Sequence, residues 1–219
     1  MTPDLRLYAL IDPAVAGGRT SPALARLIAG HATLVQLRDK HSHTGALVEE
    51  AKRLREVLEP AGIPLLVNDR VDVALAAQAD GVHIGQDDMR PEDARLLLGR
   101  TAIIGLSIQS VEQAEAAPLE LIDYVGVGGV YATTTKDNTK PPIGPAGLRR
   151  IAEVIRARRP GFPICGIAGI TAVNAADVIT AGADGVAVIS ALSLAPDPAQ
   201  AAQDLRSVVD GALAKRGTA

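Results

Sequence analysis

"LVQLRDK", residues 34–40, begins as an apolar strand and ends in charge. Side chains alternate faces along a strand, so Gln36, Arg38 and Lys40 share one side while Thr33, Val35 and Leu37 share the other. The second set is expected to pack against helices. The first set aims an amide and two cations the same way. A desolvated polar trio needs partners, and for two cations an anion is the natural one. The reading therefore asks for a fold in which one face of a strand opens into a cavity.

The rest of the chain supports such a fold. Strand-like runs recur at "LRLYALID", "TLVQLRD", "PLLVND", "GVHIG", "AIIGLS", "YVGVGGV", "PICGIA" and "GVAVIS". Helical segments separate them, the clearest being "ALVEEAKRLREVLE", "PEDARLLLG", "PAGLRRIAEVIRARR" and "AAQDLRSVVDGALA". Alternating strands and helices imply a parallel sheet with right-handed crossovers. Eight such units in 219 residues, without a linker or a break in composition, predict one closed (β/α)8 TIM barrel domain spanning residues 1–219. An open doubly wound sheet is the alternative. The first strand is followed by no Gly-x-Gly-x-x-Gly, which counts against its dinucleotide-binding form.

In a barrel, function sits at the carboxyl ends of the strands. Gln36, Arg38 and Lys40 then point inward and up into the mouth. Asn68 and Asp69 end the third strand, and Asp87 and Asp88 follow the fourth. Each aspartate taken alone reads as a helix cap. Together, facing Arg38 and Lys40, Asp69 and Asp88 suit Mg2+ and a diphosphate, because magnesium takes one or two carboxylates plus phosphate oxygens. The sixth strand opens into "YATTTKDNTKPPIGPAG", a long connection expected to act as a flap carrying Thr133, Thr135 and Lys136. Gly169 and Ser190 follow the seventh and eighth strands, where barrels commonly cradle a phosphate on backbone N–H groups and a helix amino terminus. The mouth is thus expected to hold two anion sites, one cationic and metal-linked, the other neutral.

Composition narrows the partners. A net charge of −3 gives no general attraction for nucleic acid, and aromatics at 2% offer few stacking platforms. No signal peptide and no uncharged membrane-length stretch is apparent, so the expected setting is cytoplasmic, with small-molecule substrates and neither membrane nor nucleic-acid partners; a homo-oligomer stays open. Cys165 is the single cysteine, inside "FPICGIAG", and reads as a small buried hydrophobe. "RRIAEVIRARR" reads as a solvated basic helix face, His41 and His43 as loop residues without a metal, and His83 as an interior residue either structural or catalytic.

The runs "VQLRDK", "LLVNDRVDVAL", "ADGVHIGQDD", "IIGLS", "DYVGVGGVYATTTK" and "GIAGI…AGADGVAVISAL" together resemble the thiamine-phosphate synthase (thiamine-phosphate pyrophosphorylase) family, in order and through nearly the whole chain. The resemblance implies a (β/α)8 barrel transferase that joins 4-amino-2-methyl-5-hydroxymethylpyrimidine diphosphate to a thiazole phosphate, as carboxylate or tautomer, releasing pyrophosphate by a dissociative substitution. By position it implies Gln36, Arg38, Lys40, Asn68, Ser107 and Lys136 as pyrimidine-diphosphate binders, of which Arg38, Lys40, Ser107 and Lys136 serve catalysis. It implies Asp69 and Asp88 as magnesium ligands, Thr133 and Thr135 as thiazole contacts, and Gly169, Ile189 and Ser190 as its phosphate cradle. Ala168 departs from the family's usual glycine, and Gly129 and Ala132 from prolines common there. Two other readings compete. A thiazole tautomerase of the same barrel type would carry a histidine where this chain has Gln109, and a non-catalytic phosphate-sensing barrel would have no need of the metal carboxylates.

Overall fold

The computed structural model describes residues 2–133 and 141–217. Its centre is a closed parallel barrel of strands β1 (Leu7–Ile11), β2 (Leu34–Leu37), β3 (Leu65–Asn68), β4 (Gly81–Ile84), β5 (Ile103–Ile108), β6 (Tyr124–Val127), β7 (Ile164–Ile167) and β8 (Gly185–Val188), hydrogen-bonded in sequence order. Around it lie α1 (Ser21–Ile28), α2 (Thr44–Leu58), α3 (Val71–Ala77), α4 (Pro91–Leu98), α5 (Val111–Ala116), α6 (Gly144–Arg158), α7 (Ala175–Thr180), α8 (Ser190–Ser193) and α9 (Pro198–Gly217). This is the (β/α)8 barrel that the strand spacing predicts.

Two apolar layers follow from the alternation along each strand. The outward set, including Val35, Leu37, Val67, Val82, Ile104 and Val125, joins helix residues such as Leu47, Ala51, Leu54 and Leu58 of α2 in one buried cluster. The spacing of those four, at i, i+4, i+7 and i+11, keeps them on one stripe of the helix. The inward set is smaller: Tyr8, Leu10, Leu34, Leu66, Ile103, Tyr124, Cys165 and Ala187 fill the barrel. Tyr124 fits inside because a glycine stands beside it. A Cβ on Gly105 would fall 2.1 Å from the Tyr124 ring. Cys165 is fully buried in this layer, as expected, and burial pushes its thiol well above the ordinary range.

The amino end of the barrel carries a repeated device. Thr33, Asp80, Asp123 and Asp184, each just before an even-numbered strand, accept the backbone N–H of the preceding odd strand: Leu7, Leu65, Ile104 and Ile164, at 3.1, 2.8, 2.8 and 3.0 Å. Thr33 therefore ties β2 to β1 with its hydroxyl, where a packing role against helices was expected. The basic stretch that ends α6 is exposed at Arg149, Arg150, Arg158 and Arg159, as expected, but several of its arginines also make specific bonds. Arg156 pairs with Asp184 at 2.8 Å, Arg158 donates to the carbonyls of Ala114 and Ala117, and Arg159 donates to that of Leu119 and lies over the Phe162 ring. These arginines stitch α6 to its neighbours, because their long stems reach carbonyls at the ends of adjacent elements. No helix among the described residues is long and apolar enough to cross a membrane.

Candidate active site

Residues of all eight strands, and of the turns that follow several of them, surround a cavity of about 700 Å³, a size typical of small-molecule sites. Gln36, Arg38, Lys40, Asn68, Asp69, Asp87, Asp88 and Ser107 all line it. Residues up to 71 positions apart in the chain thus meet, because each stands at or just past the end of its own strand. In β2 the alternation holds: Val35 and Leu37 face the helices, while Gln36 and Arg38 face the cavity.

Arg38 is held by Asp12, just past the end of β1, in an ion pair with side chains 13% and 4% exposed. Asp12 also accepts the Ala14 N–H at 3.0 Å, which anchors the turn after β1. The sequence reading did not single out Asp12. The same alternation applied to "YALID" would have found it, since Tyr8, Leu10 and Asp12 fall on one face.

Lys40 reaches Asp69 at 3.2 Å and is itself half exposed. Burial and the hydrogen-bonded neighbour Asp88 push the Asp69 carboxyl above its ordinary 3.8, with Lys40 pulling in the opposite sense. Asp69 adopts a positive φ of 62°, with its N–H on the His83 carbonyl, and Asp88 takes the Gly85 N–H at 2.7 Å. Neither caps a helix: the N-cap residues of α3 and α4 are Arg70 and Arg90, and neither helix has a side-chain cap. The capping reading therefore falls away for both. Two carboxylates turned toward each other beside a lysine form a hard-oxygen donor pair suited to a divalent cation. Among the described residues no group of three metal-ligating side chains exists, so a cation here would draw its other oxygens from ligand and water.

Below the mouth, His83 bridges Tyr124 at 2.7 Å from Nδ1 and Ser107 at 2.9 Å from Nε2. Tyr124 bonds Tyr8 at 2.8 Å, and Gln36 Nε2 bonds Tyr8 in turn. Burial raises both phenols far above their ordinary range, so they stay protonated. Gln86 donates to the Ser107 carbonyl at 2.7 Å. Tyr8, Tyr124 and Gln86 carried no signal in sequence that set them apart from core or loop residues.

A second cavity, of about 280 Å³, adjoins the first through Ile167, Ala168 and Ala187. Thr133, Gly169, Ile189 and Ser190 line it together, as anticipated. Among the described residues, no charged side chain does. Gly169 is required by both space and conformation: its φ is +66°, and a Cβ would fall 2.5 Å from the Ala132 carbonyl oxygen. Ala168 before it has φ +80°, a region that L residues rarely adopt and that glycine enters without steric cost. Helix α8 has only four residues, so its amino terminus adds little dipole, and the lining is mainly backbone. Thr135 and Lys136 lie outside the described residues.

A parallel barrel with a cavity that carries both cations and carboxylates, next to a glycine-lined one with no charge among the described residues, suits an enzyme for phosphorylated small molecules. Comparison with known proteins is more specific. Residues 7–192 match the family model described as thiamine monophosphate synthase. A thiamine-phosphate synthase of Chloroflexus aurantiacus is 47% identical over 207 residues, covering 94% of this chain and 93% of that protein. One from Xanthobacter autotrophicus is 48% identical over 207 residues, covering 94% and 96%. The solved thiamine phosphate pyrophosphorylase from Pyrococcus furiosus superposes with a TM-score of 0.83 at 36% identity, covering 96% of this chain and 98% of that one. The chain belongs to the thiamine monophosphate synthase family.

Proposed function

We propose that this protein, acting as one barrel domain over residues 1–219, condenses 4-amino-2-methyl-5-hydroxymethylpyrimidine diphosphate with a thiazole phosphate, yielding thiamine monophosphate and pyrophosphate. The observation that carries the proposal is the meeting of Arg38, Lys40, Asp69, Asp88 and Ser107 in one cavity that runs into a neutral pocket. Two differently charged halves suit two phosphorylated substrates held end to end.

The reaction breaks the bond between the pyrimidine methylene and the diphosphate oxygen, with the electron pair leaving on pyrophosphate. The thiazole ring nitrogen then gives its lone pair to the methylene carbon. That nitrogen carries no proton, so the site has no need of a general base. Mg2+ held by Asp69 and Asp88 would neutralise charge on the diphosphate. Arg38 and Lys40 stabilise the charge growing on the leaving oxygen, Ser107 donates its hydroxyl to a diphosphate oxygen, and Lys136, outside the described residues, would add a third cation. Gln36 and Asn68 bind the pyrimidine end. Thr133, Thr135, Gly169, Ile189 and Ser190 hold the thiazole phosphate so that its nitrogen meets the methylene. The tautomerase alternative has no acid or base at Gln109, which lines the cavity instead.

The test mixes the protein with both substrates and magnesium and follows thiamine phosphate and pyrophosphate. Equal product after chelation would remove the metal from the proposal. No product with magnesium present would favour the sensing barrel.

A further inference from the structure

The hydrogen-bonded chain beneath the mouth runs Gln36–Tyr8–Tyr124–His83–Ser107, from β2 across the barrel interior to β5. Its two ends line the same cavity. Every link between them is buried: Tyr8 is 2% exposed, Tyr124 0% and His83 8%. Such a chain has a direction, because each hydroxyl owns one proton and a neutral imidazole has one donor and one acceptor nitrogen.

The direction follows from either end. If Ser107 gives its proton to a diphosphate oxygen, its Oγ must accept from His83 Nε2–H. His83 Nδ1 is then the acceptor, and Tyr124 donates to it. Tyr124 has no second proton, so Tyr8 donates to Tyr124. Tyr8 then accepts from the Gln36 amide NH2, the bond found in the structure. What remains at the far end is Gln36 Oε1, a fully buried acceptor with no partner among the described residues. A buried acceptor left unpaired costs about 1–3 kcal/mol, so a ligand N–H that reaches it gains binding energy.

We propose that Tyr8, Tyr124 and His83 are positioning residues that couple the two ends of the pyrimidine site, so that an anion accepting from Ser107 fixes Gln36 as an acceptor. The inference rests on the function proposed above and adds a basis for substrate choice. With the chain in this direction the site takes a heteroaromatic ring carrying an amino group next to a diphosphate arm. A ring with an oxo group at the amino position would need Gln36 reversed. Reversal turns every link, and leaves Ser107 offering lone pairs to an anion. Discrimination between amino and oxo rings therefore depends on the direction of the whole hydrogen-bonded chain and not on Gln36 alone.

Two measurements test this. The first records the His83 tautomer by ¹⁵N–¹H correlation in the wild-type protein with saturating magnesium and inorganic pyrophosphate. The neutral Nε2–H form is expected; the Nδ1–H form or an imidazolium overturns the proposal. The second compares kcat/KM for the aminopyrimidine diphosphate and its oxo analogue in Tyr8→Phe and Tyr124→Phe. Either change frees the Gln36 amide to turn over, so the preference for the amino substrate should fall about tenfold or more, one lost hydrogen bond's worth. An equal fall on both substrates would mean that the tyrosines only support the fold, and would overturn the proposal. The two readings can fail separately. A wild-type protein that makes no thiamine phosphate defeats the proposed function, whereas the wild-type tautomer decides the chain without any turnover.

Discussion

Asp12→Ala should be among the most costly single changes at the mouth. Asp12 and Arg38 are 4% and 13% exposed and paired with one another, so the change strands a largely buried guanidinium. Removing one partner of a buried pair costs about 3–5 kcal/mol, because the other charge stays desolvated. The lost bond to the Ala14 N–H adds about 1 kcal/mol, the usual worth of a capping acceptor. In a domain of this size each kcal/mol lowers the melting temperature by about 2–4 °C, so the pair alone predicts a drop of roughly 6–20 °C. Urea titration of Asp12→Ala, Arg38→Ala and the double variant isolates the pairing. Asp12→Asn, which keeps an acceptor for Ala14, separates the capping contribution. The expected coupling exceeds about 1 kcal/mol, since contacting residues share their loss. Single changes that add to within about 0.5 kcal/mol, or an Asp12→Ala cost below 1 kcal/mol, would refute the reasoning.

Asp69 titrates above its ordinary 3.8 through burial and Asp88, so the folded state holds that proton more tightly than the unfolded chain. The metal-free protein should therefore lose stability as pH rises from the ordinary carboxylate range through the raised value. Asp69→Asn should melt higher than wild type at neutral pH without metal, with the gain vanishing in acid, and calorimetry with magnesium should raise only the wild type. Ala168→Gly relieves a φ of +80° but adds unfolded-state freedom, and the balance predicts a gain of about 0.5–1 kcal/mol by urea titration. Asp184→Ala leaves the Ile164 N–H without its side-chain acceptor and loosens Arg156 and Arg216. It should cost about 2–3 kcal/mol while kcat stays near wild type, because that cluster sits at the amino end of the barrel.

Much of the site is legible from period alone. Two-residue alternation in "LVQLRDK" puts Gln36, Arg38 and Lys40 on the inner face, and the barrel rule for strand ends brings Asn68, Asp69 and Asp88 to the same rim, whereas Ser107 comes only from the family resemblance. What that reading omits has a common cause. Asp12 obeys the same alternation, but "LID" holds no cation or motif to mark it. Tyr8 and Tyr124 look like ordinary core residues, since nothing local records that their hydroxyls meet at 2.8 Å. The arginines of α6 look solvated because the carbonyls that receive them belong to other elements.

By itself the chain determined its strand and helix periods, the parallel order they imply, and which residue types stand at each strand's end. These are local facts: each depends on a few neighbours and on backbone geometry. Which charges pair, how Asp69 and Asp88 share a proton's worth of repulsion, and which way the interior hydrogen bonds run were decided only in three dimensions. The partners come from different strands, and their energies depend on separations of a few ångströms and on exclusion of water, which only the closed barrel sets.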